Sequence, residues 1–116
     1  MEFVYHSPMR LFLLPVLLLL PVLAQQPEPK NLKILKPEDL RAGIMRKFTV
    51  ALGQGCAFCH VQGDFAADDK PEKATARKMI QMVHDINANF PDGKEHVTCY
   101  TCHRGATEPL TAPPAN

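Results

Sequence analysis

A small, mostly α-helical domain built from two helix–turn–motif units is predicted by three observations. The segment Cys-x-x-Cys-His occurs twice, as Cys56-Ala57-Phe58-Cys59-His60 and as Cys99-Tyr100-Thr101-Cys102-His103, and the two copies use all four cysteines of the chain. Each copy follows a stretch that opens on proline with acidic neighbours and closes near glycine or asparagine, the punctuation of a helix. No stretch shows the apolar–polar alternation of a half-buried strand.

Taken in order, residues 1–10 are a short polar start with Arg10 at its end, and residues 11–23 are an uncharged, leucine-rich run. Val22-Leu23-Ala24 is a small-residue cleavage site, so residues 1–24 read as a secretory signal peptide with Gln25 first in the mature chain. The run is short and broken by Pro15 and Pro21, which disfavours a transmembrane helix. The alternative is an uncleaved anchor. No cysteine lies near the cleavage site, so lipid attachment there is not expected.

Residues 25–36 form a proline-bearing leader, read as flexible. Lys36-Pro37-Glu38-Asp39 then opens a helix, with proline early and acids in the first turn, that runs to about residue 52 and stops at Gly53. The turn Gly53-Gln54-Gly55 leads into the first Cys-x-x-Cys-His. After a polar loop, Asp68-Asp69-Lys70-Pro71-Glu72 opens a second helix that reaches about residue 89. Pro91-Asp92-Gly93 turns the chain toward the second motif, and residues 109–116 form a proline-rich tail read as disordered. The domain proper is therefore 37–108, a twofold internal repeat.

The chain has 116 residues, with 13 Lys and Arg against 12 Asp and Glu, a formal charge of +1. The mature chain suffices for one domain with a modest core, a size that usually needs a staple, a metal or a cofactor. Basic residues are interleaved with acidic ones, which excludes a nucleic-acid footprint.

Two thiols two residues apart can both add to the vinyl groups of one haem, and the histidine next in the chain then lies under the iron. Four cysteines in two pairs could instead hold a tetrahedral zinc, close two disulfides, or include a thioredoxin-like redox pair. None of those uses requires a histidine directly after both pairs. The expectation is two covalently bound haem c groups, with Cys56, Cys59, Cys99 and Cys102 as thioether residues and His60 and His103 as iron ligands. An exported protein is also where covalent haem attachment is expected.

Each such iron has a sixth position, and the preceding helices carry methionines. At roughly 100° per residue, Met79, Val83, Ile86 and Phe90 fall in one stripe, with Met79 near its centre and Met82 at its edge. A methionine on such a face can equally be core. Met45 lies beside Phe48 and Leu52 but off the centre of its apolar face. About 10 Å of helix separates Met45 from residue 52, enough for the helix to lie along one haem face while the turn carries His60 to the other.

The run from Met45 through Leu52-Gly53-Gln54-Gly55 to His60 resembles the haem units of the photosynthetic reaction-centre cytochrome c subunit family. So does Ala76-Arg77-Lys78-Met79-Ile80-Gln81-Met82 followed by Ile86-Asn87 and Val97-Thr98-Cys99-Tyr100-Thr101-Cys102-His103-Arg104-Gly105. The likeness covers roughly residues 38–108. It implies Met45 opposite His60 and Met79 opposite His103, with Met82 the second methionine of the family's pattern and not a ligand. The family's subunit carries four haems in two pairs and is usually lipid-anchored, so this chain resembles half of it. Donation to a photo-oxidised chlorophyll pair is not carried over. The family also uses a histidine in the loop before one motif to ligate a distant haem. Here that loop is shorter, and His96 and His84 are read as surface residues.

The sequence thus predicts an exported, periplasmic dihaem c-type cytochrome that passes single electrons and has no catalysis of its own. Its partners would be redox donor and acceptor proteins, with a membrane electron-transfer complex among the candidates and no nucleic acid. The loop 64–73 and the cations Arg77, Lys78 and Arg104 are candidate docking surfaces, or ordinary solvated charge. Competing classes are a small haem enzyme of the peroxidase or reductase kind, needing an open sixth position, and a zinc- or disulfide-stapled module.

Overall fold

The computed structural model describes Met1 and residues 27–115; the signal segment and its cleavage site lie outside the described residues. Among the described residues four helices occur in order: α1 (Pro37–Arg41), α2 (Ile44–Leu52), α3 (Pro71–Ala88) and α4 (Cys99–His103), with a 3-10 turn at Cys56–Phe58 between α2 and α3. Among the described residues the only β pairing is an isolated bridge between Val61 and Asp64. The mostly α-helical expectation holds.

The helix expected from Pro37 to about residue 52 is two helices. Gly43 sits in the left-handed region at φ 78° and starts α2 afresh after α1 closes at Ala42. A left-handed residue cannot continue a right-handed helix, and glycine adopts it without a Cβ penalty. α1 begins as its residues dictate: Pro37 occupies the first turn, where an amide would be unpaired anyway. The Lys36 amide donates to the Asp39 carboxylate at 2.8 Å. Pro71 opens α3 in the same way, with Glu72 in the first turn.

α4 is the element on which the others converge, packing against both α2 and α3. Only Ala51 on α2 (2 % exposed) and Ile80 on α3 (8 %) are buried among the described residues. The closest join is at the C-terminus of α2, where the Gly105 amide donates to the Ala51 carbonyl at 2.9 Å. That bond satisfies one of the carbonyls a helix end leaves without a partner. Gly53, left-handed at φ 63°, lies so near that a Cβ there would run into the Gly105 carbonyl oxygen.

A polar hub joins the leader to the first motif's loop and to α3. Asp68 is paired with Arg77 at 2.8 Å, Lys33 at 3.1 Å and Lys73 at 3.3 Å. Asn31 donates to the Ala66 carbonyl at 2.6 Å and accepts from Arg77 through its own carbonyl at 3.1 Å. Hydrogen bonding by Asn31, then by Lys33, Arg77 and Lys73, holds the Asp68 carboxyl well below the usual carboxylate range. The leader is thus tied down at Asn31 and Lys33. Arg77, a docking candidate on sequence, is engaged within the fold.

Gly53 and Gly63 are both left-handed, at φ 63° and 86°, but only Gly53 has a neighbour where a Cβ would go. Gly63→Ala should therefore cost about 1 kcal/mol, the left-handed strain alone. Gly53→Ala should cost about 3 kcal/mol, because backbone must also move. Denaturant midpoints of the two variants check the difference.

Candidate functional site

The two motifs reach the same local geometry by different means. In the first, the 3-10 turn brings the Phe58 amide to the Gly55 carbonyl at 3.1 Å and the His60 amide to the Cys56 carbonyl at 3.0 Å. In the second, the motif is itself α4, opened by Thr98, whose amide donates to Thr101 Oγ1 at 2.9 Å. Either way, residues three and four apart fall on one face of a turn, which brings each Cys–Cys–His trio together. All four thiols are free.

The histidines match more closely still. His60 Nδ1 lies 2.9 Å from the Phe65 carbonyl oxygen, and His103 Nδ1 lies 2.9 Å from that of Ala106. A carbonyl can only accept, so Nδ1 carries the proton in both rings and Nε2 keeps its lone pair. Fixing one ring nitrogen on a carbonyl is the usual device for presenting the other to a metal. His60 also meets Phe65 edge to face, ring centroids 5.3 Å apart. A recess beside it is lined by Cys56, Ala57, His60, Gln62 and Phe65.

The methionines predicted as ligands stand apart from that recess. Met45 is half-buried on α2, and neither Met45 nor Met79 lines the recess beside His60. Met79 on α3 is 38 % exposed, whereas its neighbour Ile80 is buried. α3 therefore packs on the protein beside the Met79 stripe, not through it. Ile86 and Phe90 continue that stripe and are 39 % exposed each, with Met82 more exposed still. The stripe is not protein core. A contiguous exposed apolar strip of this kind marks a surface that something else covers.

Among the described residues no three His, Cys, Asp or Glu side chains converge as metal ligands. Burial pushes the Cys59 thiol up, helped by Glu72 and opposed by Lys70, and burial likewise raises Cys99.

Two sets of contacts have no signature in the sequence. Asn87 on α3 clamps the strip before α4: its Oδ1 accepts from the amides of His96 at 2.8 Å and Val97 at 3.0 Å, and its Nδ2 donates to the Val97 carbonyl at 2.8 Å. Lys73 Nζ donates to the carbonyls of Phe65, Ala66 and Ala67 at 2.9, 2.9 and 2.6 Å. Lys73 belongs to no motif and Asn87 enters only through the family likeness, and the direction of a loop carbonyl cannot be read from residue types. His96 stacks on Phe90 with centroids 4.0 Å apart, and its Nε2 bonds the Asp92 carboxylate. That bond, with the Lys94 amide, lowers the Asp92 carboxyl below its ordinary value. His84 is exposed.

Asn87→Ala removes three hydrogen bonds and strands two amides, which should cost about 2–3 kcal/mol. Asn87→Asp keeps the acceptor and should cost less. Hydrogen exchange at the His96 and Val97 amides distinguishes them: fast in the alanine variant, still protected in the aspartate.

Residues 29–112 match the family described as the photosynthetic reaction centre cytochrome C subunit. The photosynthetic reaction center cytochrome c subunit of Thermochromatium tepidum is 38 % identical over 94 residues, covering 72 % of this chain and 22 % of the relative. Cytochrome c-554 of Chloroflexus aurantiacus is 34 % identical over 94 residues, covering 74 % and 23 %. The reaction-centre cytochrome subunit of Rubrivivax gelatinosus is 33 % identical over 93 residues, covering 66 % and 25 %. The chain spans about a quarter of the length of these relatives or less.

Proposed function

The chain belongs to the photosynthetic reaction centre cytochrome c subunit family, and on that premise we propose that it is a dihaem electron carrier. The observation that carries the proposal is the pair of motif histidines, each with Nδ1 fixed on a backbone carbonyl at 2.9 Å and Nε2 left for iron. A single such histidine could be incidental. Two at equivalent positions, each directly after a free Cys-x-x-Cys pair, are the same site built twice.

In this reading Cys56 and Cys59 hold one haem, and Cys99 and Cys102 the other. These four thiols would hold the groups through thioether bonds to their vinyl substituents. His60 and His103, oriented by the Phe65 and Ala106 carbonyls, would bind iron through Nε2. Met45 and Met79 would supply the remaining iron ligands, as the family resemblance implies, and the exposed stripe at Met79 supports this for α3. The haem iron, when bound, provides the one-electron ferric–ferrous couple, and histidine–methionine ligation favours the ferrous form. The chain's own task is to hold, shield and tune.

The wider role is taken from the relatives' names: electron exchange with redox proteins, a membrane complex of the photosynthetic kind being one. Export to the periplasm is part of the proposal, resting on residues 1–24. Among the described residues no helix is long and apolar enough to cross a membrane. Catalysis of its own is not proposed, because both iron faces are assigned to side chains.

Saturated irons make the carrier reading testable. Reduced protein should bind carbon monoxide slowly and weakly while exchanging electrons fast with small mediators. Fast binding at one haem would favour an enzyme. Met79→His should keep that iron six-coordinate, halve the weak thioether–ferric absorption near the red end of the visible spectrum, and lower one of two potentials, since imidazole stabilises ferric iron more than thioether does. Met82→Leu should leave both potentials nearly unchanged. A spectrum that responds to Met82 or His84 and ignores Met79 would overturn the ligand assignment.

A further inference from the structure

The two accepting carbonyls differ in what else they accept. The Ala106 carbonyl accepts from His103 alone among the described residues. The Phe65 carbonyl accepts from His60 Nδ1 at 2.9 Å and also from the Lys73 ammonium at 2.9 Å. Lys73 is held there firmly, its side chain 11 % exposed and its Nζ bonded to the next two carbonyls as well. We propose that Lys73 is a positioning residue that raises the potential of the first haem by competing with His60 for the Phe65 carbonyl. The proposal rests on the dihaem reading above.

Two effects act in the same direction. A cationic donor on one lone pair draws electron density from the carbonyl and weakens what it can accept on the other. A weaker Nδ1–H bond leaves the imidazole less electron-rich, and a less basic ligand stabilises ferric iron less. The ammonium charge, two hydrogen bonds away from the ring, also disfavours the extra positive charge of the oxidised state. Asp68 opposes this at 3.3 Å from Lys73, but the same carboxylate is shared with Lys33 and Arg77, so it does not cancel the field. Among the described residues, the second unit has no counterpart of Lys73 on its carbonyl. The two sites thereby become unequal in the hydrogen bonding behind their histidines.

Lys73→Met and Asp68→Asn test this with opposite signs. In stepwise potentiometry followed by optical spectra, Lys73→Met should lower one haem's reduction constant about tenfold, close to 59 mV for a one-electron couple, and leave the other in place. In the reduced protein the His60 Nδ1 proton resonance should move downfield as its hydrogen bond strengthens. Asp68→Asn removes the opposing charge and should raise the same potential. A purely structural role for the hub would move both variants the same way, and that result would overturn the proposal, as would two unmoved potentials. Should Lys73→Met fail to mature, the sign of the Asp68→Asn shift decides. Iron counted against polypeptide in the parent protein separates the two levels: a parent without haem sinks the dihaem reading itself, whereas a dihaem parent with insensitive potentials sinks only the role of Lys73.

Discussion

Each motif histidine gives its Nδ1 proton to a carbonyl a few residues downstream, and much of the fold serves to hold those two carbonyls still. At the first site the Phe65 carbonyl belongs to a loop pinned by Lys73 and, through Asp68, by Lys33 and Arg77. At the second, the Ala106 carbonyl comes directly after Arg104 and Gly105, both left-handed at φ 52° and 90°. The Gly105 amide ties that turn to the end of α2. An exposed charge network steadies one ring and a backbone-to-backbone join steadies the other. The surface pairs add little stability singly, but a shared carboxylate with three cations and a buried lysine stem restricts the loop more than isolated pairs would.

With Ala51 and Ile80 as its buried apolar residues among those described, the chain has little protein core to lean on. Apolar burial stabilises by roughly 25 cal/mol per Å², so the open stripe of Met79, Ile86 and Phe90 is a substantial reserve of unburied area. A chain of this size ordinarily draws on a cofactor for its interior, and the stripe lies on the helix that precedes the second motif. Packing and function therefore meet on the same side chains: those that would shield a ring are those that the protein leaves uncovered.

Much of this was legible in the sequence. Pro37 and Pro71 marked two helix starts and Gly53 marked a stop, and the repeated Cys-x-x-Cys-His is what the proposed chemistry rests on. The break at Gly43 was missed because an isolated glycine in a helical pattern is usually tolerated, and nothing local says that it turns left-handed. The partners of Lys73 and Asn87 were missed for a different reason. Both side chains bind backbone groups, and the direction of a backbone carbonyl depends on the path of the loop, not on the residue that carries it. Arg77 looked like a free surface cation because its partner, Asp68, lies nine residues earlier in a loop whose return to α3 is a tertiary fact.

The central claim is that this small chain is one site built twice. Proteolytic digestion under denaturing, alkylating conditions, with mass measurement of the peptides that contain Cys56 with Cys59 and Cys99 with Cys102, tests it directly. The account predicts that each peptide is heavier by one haem and that neither carries an alkylated cysteine. Bare or alkylated peptides, a disulfide within either pair, or haem on only one of the two would contradict it.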